Sequence, residues 1–427
     1  RDEALREAEA AEKALLRDEP RGALHGVPFT VKDLVNTAGV RTTFGSRLYE
    51  HNVPTENAQA VARLRRAGAI LIGKTTTPEF GAKSLTDAPL FGRTRNAWSA
   101  AHTSGGSSGG AAVAVAAGIA PLAVATDGGG STRIPAACNG VVGLKQTNGV
   151  IPHSQAADAF GNYTYVTPLT RIVADTALML QVMAGRDESD PWSYGLRETD
   201  YLAAAKAEGD LRGKRILFCA APPGRPLATD VAAAFTRALD RLRAFGAELE
   251  EMDGKHFDIE PMWRVINHTT WLARFAPMAA RGAEKMSPSL LRQLVSASQV
   301  SGVAYQEAMF ARTALFRHVQ ALLRDHDFLV TPTLSRVALP IDQDLFGEIT
   351  IDGKVFDDLR ANWFPWTMPF NMTGHPAMSI PCGFGEGDLP IGLQIVGRFR
   401  AEVEVLRVGA LLEAAQGLLT RWPVIEV

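Results

Sequence analysis

The stretch Asp127-Gly-Gly-Gly-Ser131 places three consecutive glycines directly before a serine. Glycines let backbone N–H groups approach one point without side chains in the way, and convergent N–H groups stabilise an oxyanion. A serine hydroxyl is a poor nucleophile at neutral pH and needs a base. Asp127 is too close to the glycine turn to be that base, and the nine histidines show no pairing. The pattern therefore favours an oxyanion hole beside Ser131 and leaves the base open.

A second serine pattern, Gly105-Gly-Ser-Ser-Gly109, matches the GxSxG turn that exposes a nucleophile in α/β-hydrolases. That turn follows directly on a strand, whereas residues 96–104 are polar and typical of a loop. An α/β-hydrolase-type esterase that uses Ser107 is therefore the second enzyme hypothesis, after a hydrolase that uses Ser131. The structural alternative for these serines is to cap the Ala-rich helix that follows, and Ser108 is the candidate for that cap.

The stretch Gly68-Ala-Ile-Leu-Ile-Gly-Lys-Thr75 matches the phosphate-binding pattern GxxxxGK[ST]. In that motif a flexible loop wraps phosphates with its backbone N–H groups. Here the interior residues 69–72 are apolar and predict a buried strand, which leaves no room for the loop. We therefore expect no nucleotide site, and Lys74 is interpreted as a surface or strand-end lysine.

The elements that must position these motifs alternate between short apolar runs and helical patterns, which predicts an α/β fold with a largely buried sheet. Strands are predicted at 27–32, 69–72, 122–125, 215–218, 327–330 and 392–396. Helices are predicted at 1–17, 58–67, 110–118, 173–184, 231–245 and 307–324. No repeat, low-complexity linker or charge block marks a boundary, so one domain over 1–427 is expected. The chain starts at Arg1 inside a predicted helix, without a methionine, and we expect residues before it.

Composition narrows the class of partner. The 427 residues are 46% apolar and 21% charged, enough for a large core. A formal net charge of −2 gives no basic surface for nucleic acid, and the longest apolar stretch, 109–125, is too interrupted to cross a membrane. Cys138, Cys219 and Cys382 form no CxxC pair, which argues against disulfides and zinc. We expect a cytoplasmic monomer or homodimer that acts on a small molecule, without nucleic-acid or membrane partners.

Several segments together resemble the amidase signature family of hydrolases. They are 26–33, 67–74, 104–118, 125–135, 140–145, 327–333, 371–381 and 390–395. The second of them resembles the strand next to the family's lysine strand, which accounts for the phosphate-loop match. The resemblance runs from about residue 24 to about residue 415. It implies one large mixed, mostly buried β-sheet covered by helices on both faces, with a signature core at about 24–190 and the remainder, 191–427, in the same fold.

The resemblance also assigns catalytic roles position by position. Ser131 corresponds to the nucleophile, Ser107 to the bridging serine and Lys32 to the base. In this family the bridging serine follows a cis peptide bond, here Gly106–Ser107. To act as a base at neutral pH, Lys32 must be neutral, so the resemblance implies a burial that lowers its pKa from about 10.4. The implied reaction cleaves an amide-type bond through an acyl-enzyme, without metal or cofactor.

Backbone N–H groups of the glycine turn complete the site that the resemblance implies. The four expected oxyanion donors are Gly128, Gly129, Gly130 and Ser131. The family more often has an apolar residue or threonine where Gly128 stands, a change that removes no donor. Asp127 and Arg133 are expected to support the fold of this segment rather than to take part in the reaction.

Substrate preference is predicted from aromatic residues that follow the signature and precede the last motif. By resemblance such regions line the substrate pocket, and the residues assigned to it are Phe160, Tyr163, Trp366 and Phe370. The alternative for each of them is packing in the core. The expected substrates are apolar or aryl amides and anilides, with carbamates (urethanase-like activity) and esters as further candidates.

Two other functions stay open. The chain could be the amidase component of a tRNA-dependent amidotransferase, which needs partner subunits and glutamine. A non-catalytic relative that acts as a binding or scaffold protein is the other alternative, and the presence of Lys32, Ser107 and Ser131 argues against it.

Overall fold

The computed structural model describes residues 1–206 and 208–424. Its strands are β1 (Pro28–Lys32), β2 (Ile70–Thr75), β3 (Asp87–Ala88), β4 (Gly92–Arg93), β5 (Leu122–Asp127), β6 (Val142–Lys145), β7 (Tyr165–Thr170), β8 (Arg215–Phe218), β9 (Glu248–Glu251), β10 (Phe328–Pro332), β11 (Ile349–Ile351), β12 (Lys354–Phe356), β13 (Ala377–Phe384) and β14 (Pro390–Gly397). All six strands predicted from the sequence are among them.

The described residues also form thirteen α-helices, which include the six predicted ones. They are α1 (Asp2–Leu16), α2 (Gln59–Arg66), α3 (Gly109–Ala116), α4 (Arg133–Asn139), α5 (Val173–Met183), α6 (Tyr201–Ala204), α7 (Thr229–Ala244), α8 (Glu260–Gly282), α9 (Pro288–Ala297), α10 (Gly302–Asp325), α11 (Leu359–Trp363), α12 (Met368–Thr373) and α13 (Glu402–Gln416). None of them, over the residues described, is long and apolar enough to cross a membrane.

Ten of the described strands form one sheet in the order β2-β1-β5-β7-β6-β13-β14-β10-β8-β9. At one end β1 runs parallel to both β2 and β5, and at the other end β8 runs parallel to β10 and β9. The strands between these ends pair antiparallel. The predicted large mixed sheet is therefore confirmed.

Helices cover both faces of this sheet, as β13 shows. Successive side chains of a strand point to opposite faces. Met378 packs against Gly409 of α13, whereas the next residue, Ser379, lies beside Gly392 of β14, which faces Ala137 of α4. Both faces are therefore packed, and this agrees with the near-continuous apolar character of the central strands.

One hydrophobic cluster extends through both parts of the chain, from Leu24 and Val31 near the start to Leu412 in α13. A domain boundary is expected where few apolar contacts cross. On this ground we propose that 1–427 folds as a single domain.

Candidate active site

Lys32 is the last residue of β1, between β2 and β5, and its side chain is fully buried. The strand alternates Phe29 and Val31 on one face with Thr30 and Lys32 on the other, and all four are buried. The Lys32 Nζ lies 2.7 Å from Ser107 Oγ, 2.8 Å from Ser108 Oγ and 2.8 Å from Thr126 Oγ1. A lysine amine in the core is thus held by three hydroxyls.

Burial lowers the pKa of Lys32 well below its ordinary value, because the charged form loses its hydration. The negative charge of Asp127 acts in the opposite direction and raises that pKa, but burial outweighs it. The neutral amine that a base requires is therefore favoured by the position of Lys32 in the fold.

The neutral form of Lys32 has one lone pair, so one of the three hydroxyls must donate to it. Ser108 cannot, because its hydroxyl donates to the carbonyl of Thr126 at 3.0 Å. Ser107 and Thr126 remain and both line the cavity, and of these two the resemblance assigns the proton transfer to Ser107. The arrangement is therefore suited to proton transfer between Ser107 and Lys32.

The prediction that the Ser108 hydroxyl caps the helix α3 is wrong. Ser108 does occupy the N-cap position of α3, but its side chain makes no capping hydrogen bond. The hydroxyl instead accepts from Lys32 and donates to Thr126. Ser108 is therefore part of the surroundings of Lys32.

Ser107 follows a cis peptide bond, as the resemblance implied. The serine is closely packed: a Cβ added at Gly81 would lie 3.3 Å from its Oγ, and one at Gly106 would meet the backbone of Leu85 at 2.6 Å. Residues 96–104, which precede the GxSxG pattern, contain only isolated β-bridges and no named strand in the part of the chain described. The α/β-hydrolase turn around Ser107 is therefore not formed.

The glycine turn after β5 departs from the predicted set of oxyanion donors at one position. The N–H of Gly130 donates to Asp127 Oδ1 at 2.7 Å, so it serves the scaffold. Among the described residues no hydrogen-bond partner is found for the N–H groups of Gly128, Gly129 and Ser131, and these three residues line the cavity. Gly130 is therefore removed from the proposed oxyanion hole, which keeps three donors.

A buried ion pair holds the turn in place. Arg133 donates from Nη2 to Asp127 Oδ1 and from Nε to Oδ2, both at 3.0 Å. Asn371 donates to the same carboxylate at 3.0 Å, and Gln394 accepts from Arg133 at 2.7 Å. Burial alone would raise the pKa of Asp127, but the Arg133 guanidinium outweighs it and holds that pKa well below its usual range. Both residues support the turn, as the sequence predicted.

Ser107 and Ser131 open into the same cavity. The backbone N–H of Ser108 donates to the carbonyl of Ser131 at 3.1 Å, which ties the two serine segments together. Six aromatic side chains also line the cavity. These are Phe44, Phe80, Trp263, Trp271, Phe275 and Phe364. Trp263 also donates from Nε1 to the carbonyl of Gly128 at 3.1 Å, so this wall is attached directly to the glycine turn.

The four residues predicted to bind substrate are not part of this wall. Phe160 is 80% exposed on the surface. Trp366 and Phe370 are buried and pack around Phe257, with ring centroids 5.3 and 6.1 Å away. Tyr163 is also buried, and its hydroxyl donates to Asn267, which does line the cavity, at 3.0 Å. Three of the four therefore follow the core-packing alternative, and the prediction is corrected.

Lys74 lies at the end of β2, but it is not a surface lysine. Its Nζ donates to the carbonyl of Val35 and, at 2.9 Å, to the hydroxyl of Thr37. Burial lowers the pKa of Lys74 to about 7, although Asp33 raises it. The residues 70–75 that match the phosphate pattern form the strand β2, so the loop of that motif is absent from this segment of the described chain.

Comparison with known proteins places this site in a family. The family model described as Amidase matches residues 1–406. An acylamidase of Rhodococcus erythropolis is 38% identical over 97% of this chain and 87% of its own length. One subunit of the glutamyl-tRNA(Gln) amidotransferase of Mycobacterium bovis is 36% identical over 98% of this chain and 89% of its own.

Solved structures agree with that result. A bacterial aryl acylamidase superposes with a TM-score of 0.89 at 29% identity, covering 99% of this chain and 90% of the other. A 6-aminohexanoate cyclic dimer hydrolase superposes with a TM-score of 0.84 at 28% identity, covering 99% and 89%. From the family model, these relatives and the shared fold, the chain belongs to the amidase signature family of hydrolases that act on amides.

Proposed function

We propose that this hydrolase cleaves the amide bond of small apolar or aryl substrates through an acyl-enzyme on Ser131, with Lys32 as base and Ser107 as bridging serine. The observation that carries the proposal is the fully buried Lys32, whose Nζ lies 2.7 Å from the Ser107 hydroxyl in the cavity that Ser131 shares. A neutral amine beside a hydroxyl is the base that serine catalysis requires.

In the proposed mechanism Lys32 takes the Ser107 proton while Ser107 takes that of Ser131. The Ser131 oxygen then attacks the carbonyl carbon, and the N–H groups of Gly128, Gly129 and Ser131 stabilise the oxyanion. Collapse breaks the C–N bond, and the same relay returns the proton from Lys32 through Ser107 to the leaving amine. Water, deprotonated by the relay, then attacks the acyl carbon. The C–O bond to Ser131 breaks, the Ser131 oxygen takes the proton back from Lys32 through Ser107, and the acid is released.

The aromatic wall supports an aryl or extended apolar substrate. Phe80 stacks on Phe275 with centroids 4.5 Å apart, and Phe44 lies 6.4 Å from Phe80. Such surfaces bind flat apolar groups through burial and ring contacts. The names of the similar acylamidase and aryl acylamidase point the same way. Carbamates and activated esters offer the same attack on a carbonyl, and we propose them as secondary substrates.

The test is hydrolysis measured across matched anilides, aliphatic amides, carbamates and p-nitrophenyl esters. The proposal expects the highest kcat/KM among amides for the aryl series. If every anilide and aliphatic amide of this panel is inert while ammonia is released from glutamine, the proposal fails.

The alternative of a role in a tRNA-dependent amidotransferase rests on the 36% identity to the Mycobacterium bovis protein. Glutamine carries a free ammonium as well as a carboxylate, and an ammonium is usually held by an acid. Of the described residues that line the cavity one is acidic, Asp127, and Arg133 already neutralises it. This disfavours glutamine, and a glutaminase assay together with co-purification of partner subunits separates the two functions.

Truncating the aromatic wall should lower aryl-amide hydrolysis selectively. For Trp271→Ala we expect kcat/KM for anilides to fall about 10- to 100-fold, because an indole contact of the substrate ring is lost. Acetamide, which is too small to reach the ring, should change little. Phe310→Ala serves as the control, since Phe310 is an exposed aromatic outside the cavity. Equal losses on anilides and acetamide in Trp271→Ala would assign Trp271 to folding alone.

Removal of metal ions should leave turnover unchanged. The proposed relay uses an amine and two hydroxyls, and the described residues hold no group of three or more His, Cys, Asp or Glu that could bind a metal ion. Activity after exhaustive dialysis against a chelator, compared with a mock dialysis, is the measurement. A loss that zinc or manganese restores would contradict the mechanism.

A further inference from the structure

Helix α8 forms one side of the cavity with a single row of residues. Trp263, Asn267, Trp271 and Arg274 follow one another at spacings of four, four and three, which places them on one face of the helix. Trp263 contacts the glycine turn at Gly128. At 1.5 Å per residue, Arg274 lies about 16 Å farther along the helix axis. Arg274 therefore ends this row of cavity-lining residues on the side away from the glycine turn.

The side chain of Arg274 has no acidic partner. In the described part of the chain it makes no hydrogen bond or ion pair, and its one ring contact is with Phe275, at 5.3 Å from the centroid. Arg264, on the same helix, bonds both Glu260 and Asp358. An arginine remains charged in proteins and offers five N–H donors in a fork. The exposed side chain of Arg274 therefore places a cation without an acidic partner at the solvent-facing edge of the cavity.

Two further polar groups line the same cavity on the loop after β6. His153 has a buried Nδ1 without a hydrogen-bond partner among the described residues. Burial, followed by the charge of Arg274, lowers the pKa of His153 to about 4, so its imidazole is neutral at neutral pH. Gln155 accepts from the Asn36 N–H through Oε1, which leaves its amide N–H groups for another partner. Together with Arg274 they form a group rich in hydrogen-bond donors.

The other charges of the cavity do not compensate Arg274. Lys83 is paired with Asp87, and Asp127 is paired with Arg133. Arg360, the other arginine of the lining, donates to Gln293 and lies near the acidic Glu260 and Asp358. Within the described residues, the cavity lining therefore carries an excess of positive charge, and Arg274 is the lining cation without an acidic neighbour. A carboxylate is the small group that a guanidinium fork binds with two parallel hydrogen bonds.

We propose that Arg274, with His153 and Gln155, forms a subsite for a carboxylate at the end of the substrate remote from the scissile amide. The inference rests on the proposed amide hydrolysis and narrows its substrate class to apolar or aryl amides that end in an acid. Side chains of a helix lean toward its N-terminus, so the guanidinium lies nearer to the serines than its own Cα. The separation of about 16 Å along the helix between Trp263, at the glycine turn, and Arg274, reduced by this lean, suits a chain of medium length between the amide and the acid.

The experiment compares two substrate series. One consists of the monoanilides of adipic, suberic and sebacic acid, and the other of methyl-terminated alkanoyl anilides of equal length. The ratio of kcat/KM between the series, acid over methyl, should fall about 10- to 100-fold in Arg274→Met, because charge-assisted hydrogen bonds are lost. Arg281→Met is the matched control, since Arg281 is exposed on the same helix, as Arg274 is, but does not line the cavity. It should leave the ratio unchanged.

An unchanged ratio in Arg274→Met, or an equal fall in both control and variant, overturns the subsite. If wild type hydrolyses neither series, the proposed hydrolysis fails but the subsite is still tested by binding. Tryptophan fluorescence of the inactive Ser131→Ala variant, titrated with suberic acid monoanilide, should show saturation at least 10-fold tighter than with the methyl-terminated anilide. Adding Arg274→Met must remove that difference. Equal affinity for both ligands in Ser131→Ala would overturn the subsite independently of turnover.

Discussion

Replacement of Ser131 by alanine should remove covalent labelling by a fluorophosphonate and lower amide turnover by roughly four to six orders of magnitude. Both outcomes follow from one cause, because the Ser131 hydroxyl is the atom proposed to bond to the reagent and to the acyl group. The three N–H donors and the aromatic wall remain in the variant, so substrate affinity should persist. Intact-mass spectrometry after labelling and single-turnover hydrolysis are the two measurements.

Ser84→Ala is the control for that experiment. Ser84 also lines the cavity, and its hydroxyl has no hydrogen-bond partner among the residues described. This variant should be labelled at Ser131 as wild type is. Labelling of Ser131→Ala at Ser107 would instead restore the α/β-hydrolase hypothesis and contradict the assigned roles.

The strands that carry the catalytic groups can be predicted because their signals are local. In β1, which ends on Lys32, and in β5, which leads into the glycine turn, a short apolar run is sufficient, because both strands are buried on both faces. Neighbours such as β7 and β13 are not among the predicted strands. Each contains a proline, Pro168 or Pro381, which indicates a break when the surrounding sheet is unknown.

The cavity wall is not predicted from the sequence because its position depends on tertiary contacts. Helix α8 contains Pro277 and mixes polar with apolar residues, so it gives no strong helical signal. Its tryptophans reach the site only because the fold brings Trp263 to Gly128, a contact 135 positions apart. The spacing of Trp263, Asn267 and Trp271 is nonetheless visible in the sequence, and a search for aromatic rows at helical spacing would find them.

The sequence predicts four oxyanion donors where the structure leaves three, for a related reason. The sequence shows that four backbone N–H groups are close to Ser131. It does not show which of them will donate a hydrogen bond to a neighbouring carboxylate. Gly130 adopts φ of 122°, a conformation open to glycine, and its N–H turns to Asp127.

The pH dependence of turnover follows from the direction of the Lys32 pKa. Only the neutral amine can accept a proton, so activity is present above the pKa of the folded protein and is lost as the pH falls through it. Burial lowers that pKa well below the ordinary lysine value. We therefore expect the rate to rise with pH and to reach a plateau in neutral to mildly alkaline solution. A lysine with its ordinary pKa would delay the plateau to strongly alkaline pH.

Lys32→Met should depress amide hydrolysis by more orders of magnitude than p-nitrophenyl ester hydrolysis. Methionine keeps the apolar volume of the buried stem but has no amine. Amide cleavage needs Lys32 twice, to activate Ser131 and to protonate a poor amine leaving group, whereas a phenolate leaves without a proton. Each role is expected to contribute about 10²–10⁴-fold. Parallel kcat/KM measurements on an anilide and a p-nitrophenyl ester of the same acyl group separate the two roles.

Lys32→Arg tests whether the positive charge or the proton transfer matters. A guanidinium can donate to the three hydroxyls around Nζ, but it does not deprotonate in a protein, so this variant should be as inactive as Lys32→Met. Circular dichroism and thermal unfolding check that both variants fold. Full activity in Lys32→Arg, or equal losses of amide and ester hydrolysis in Lys32→Met, would make Lys32 a structural residue. The base would then have to be sought elsewhere in the cavity.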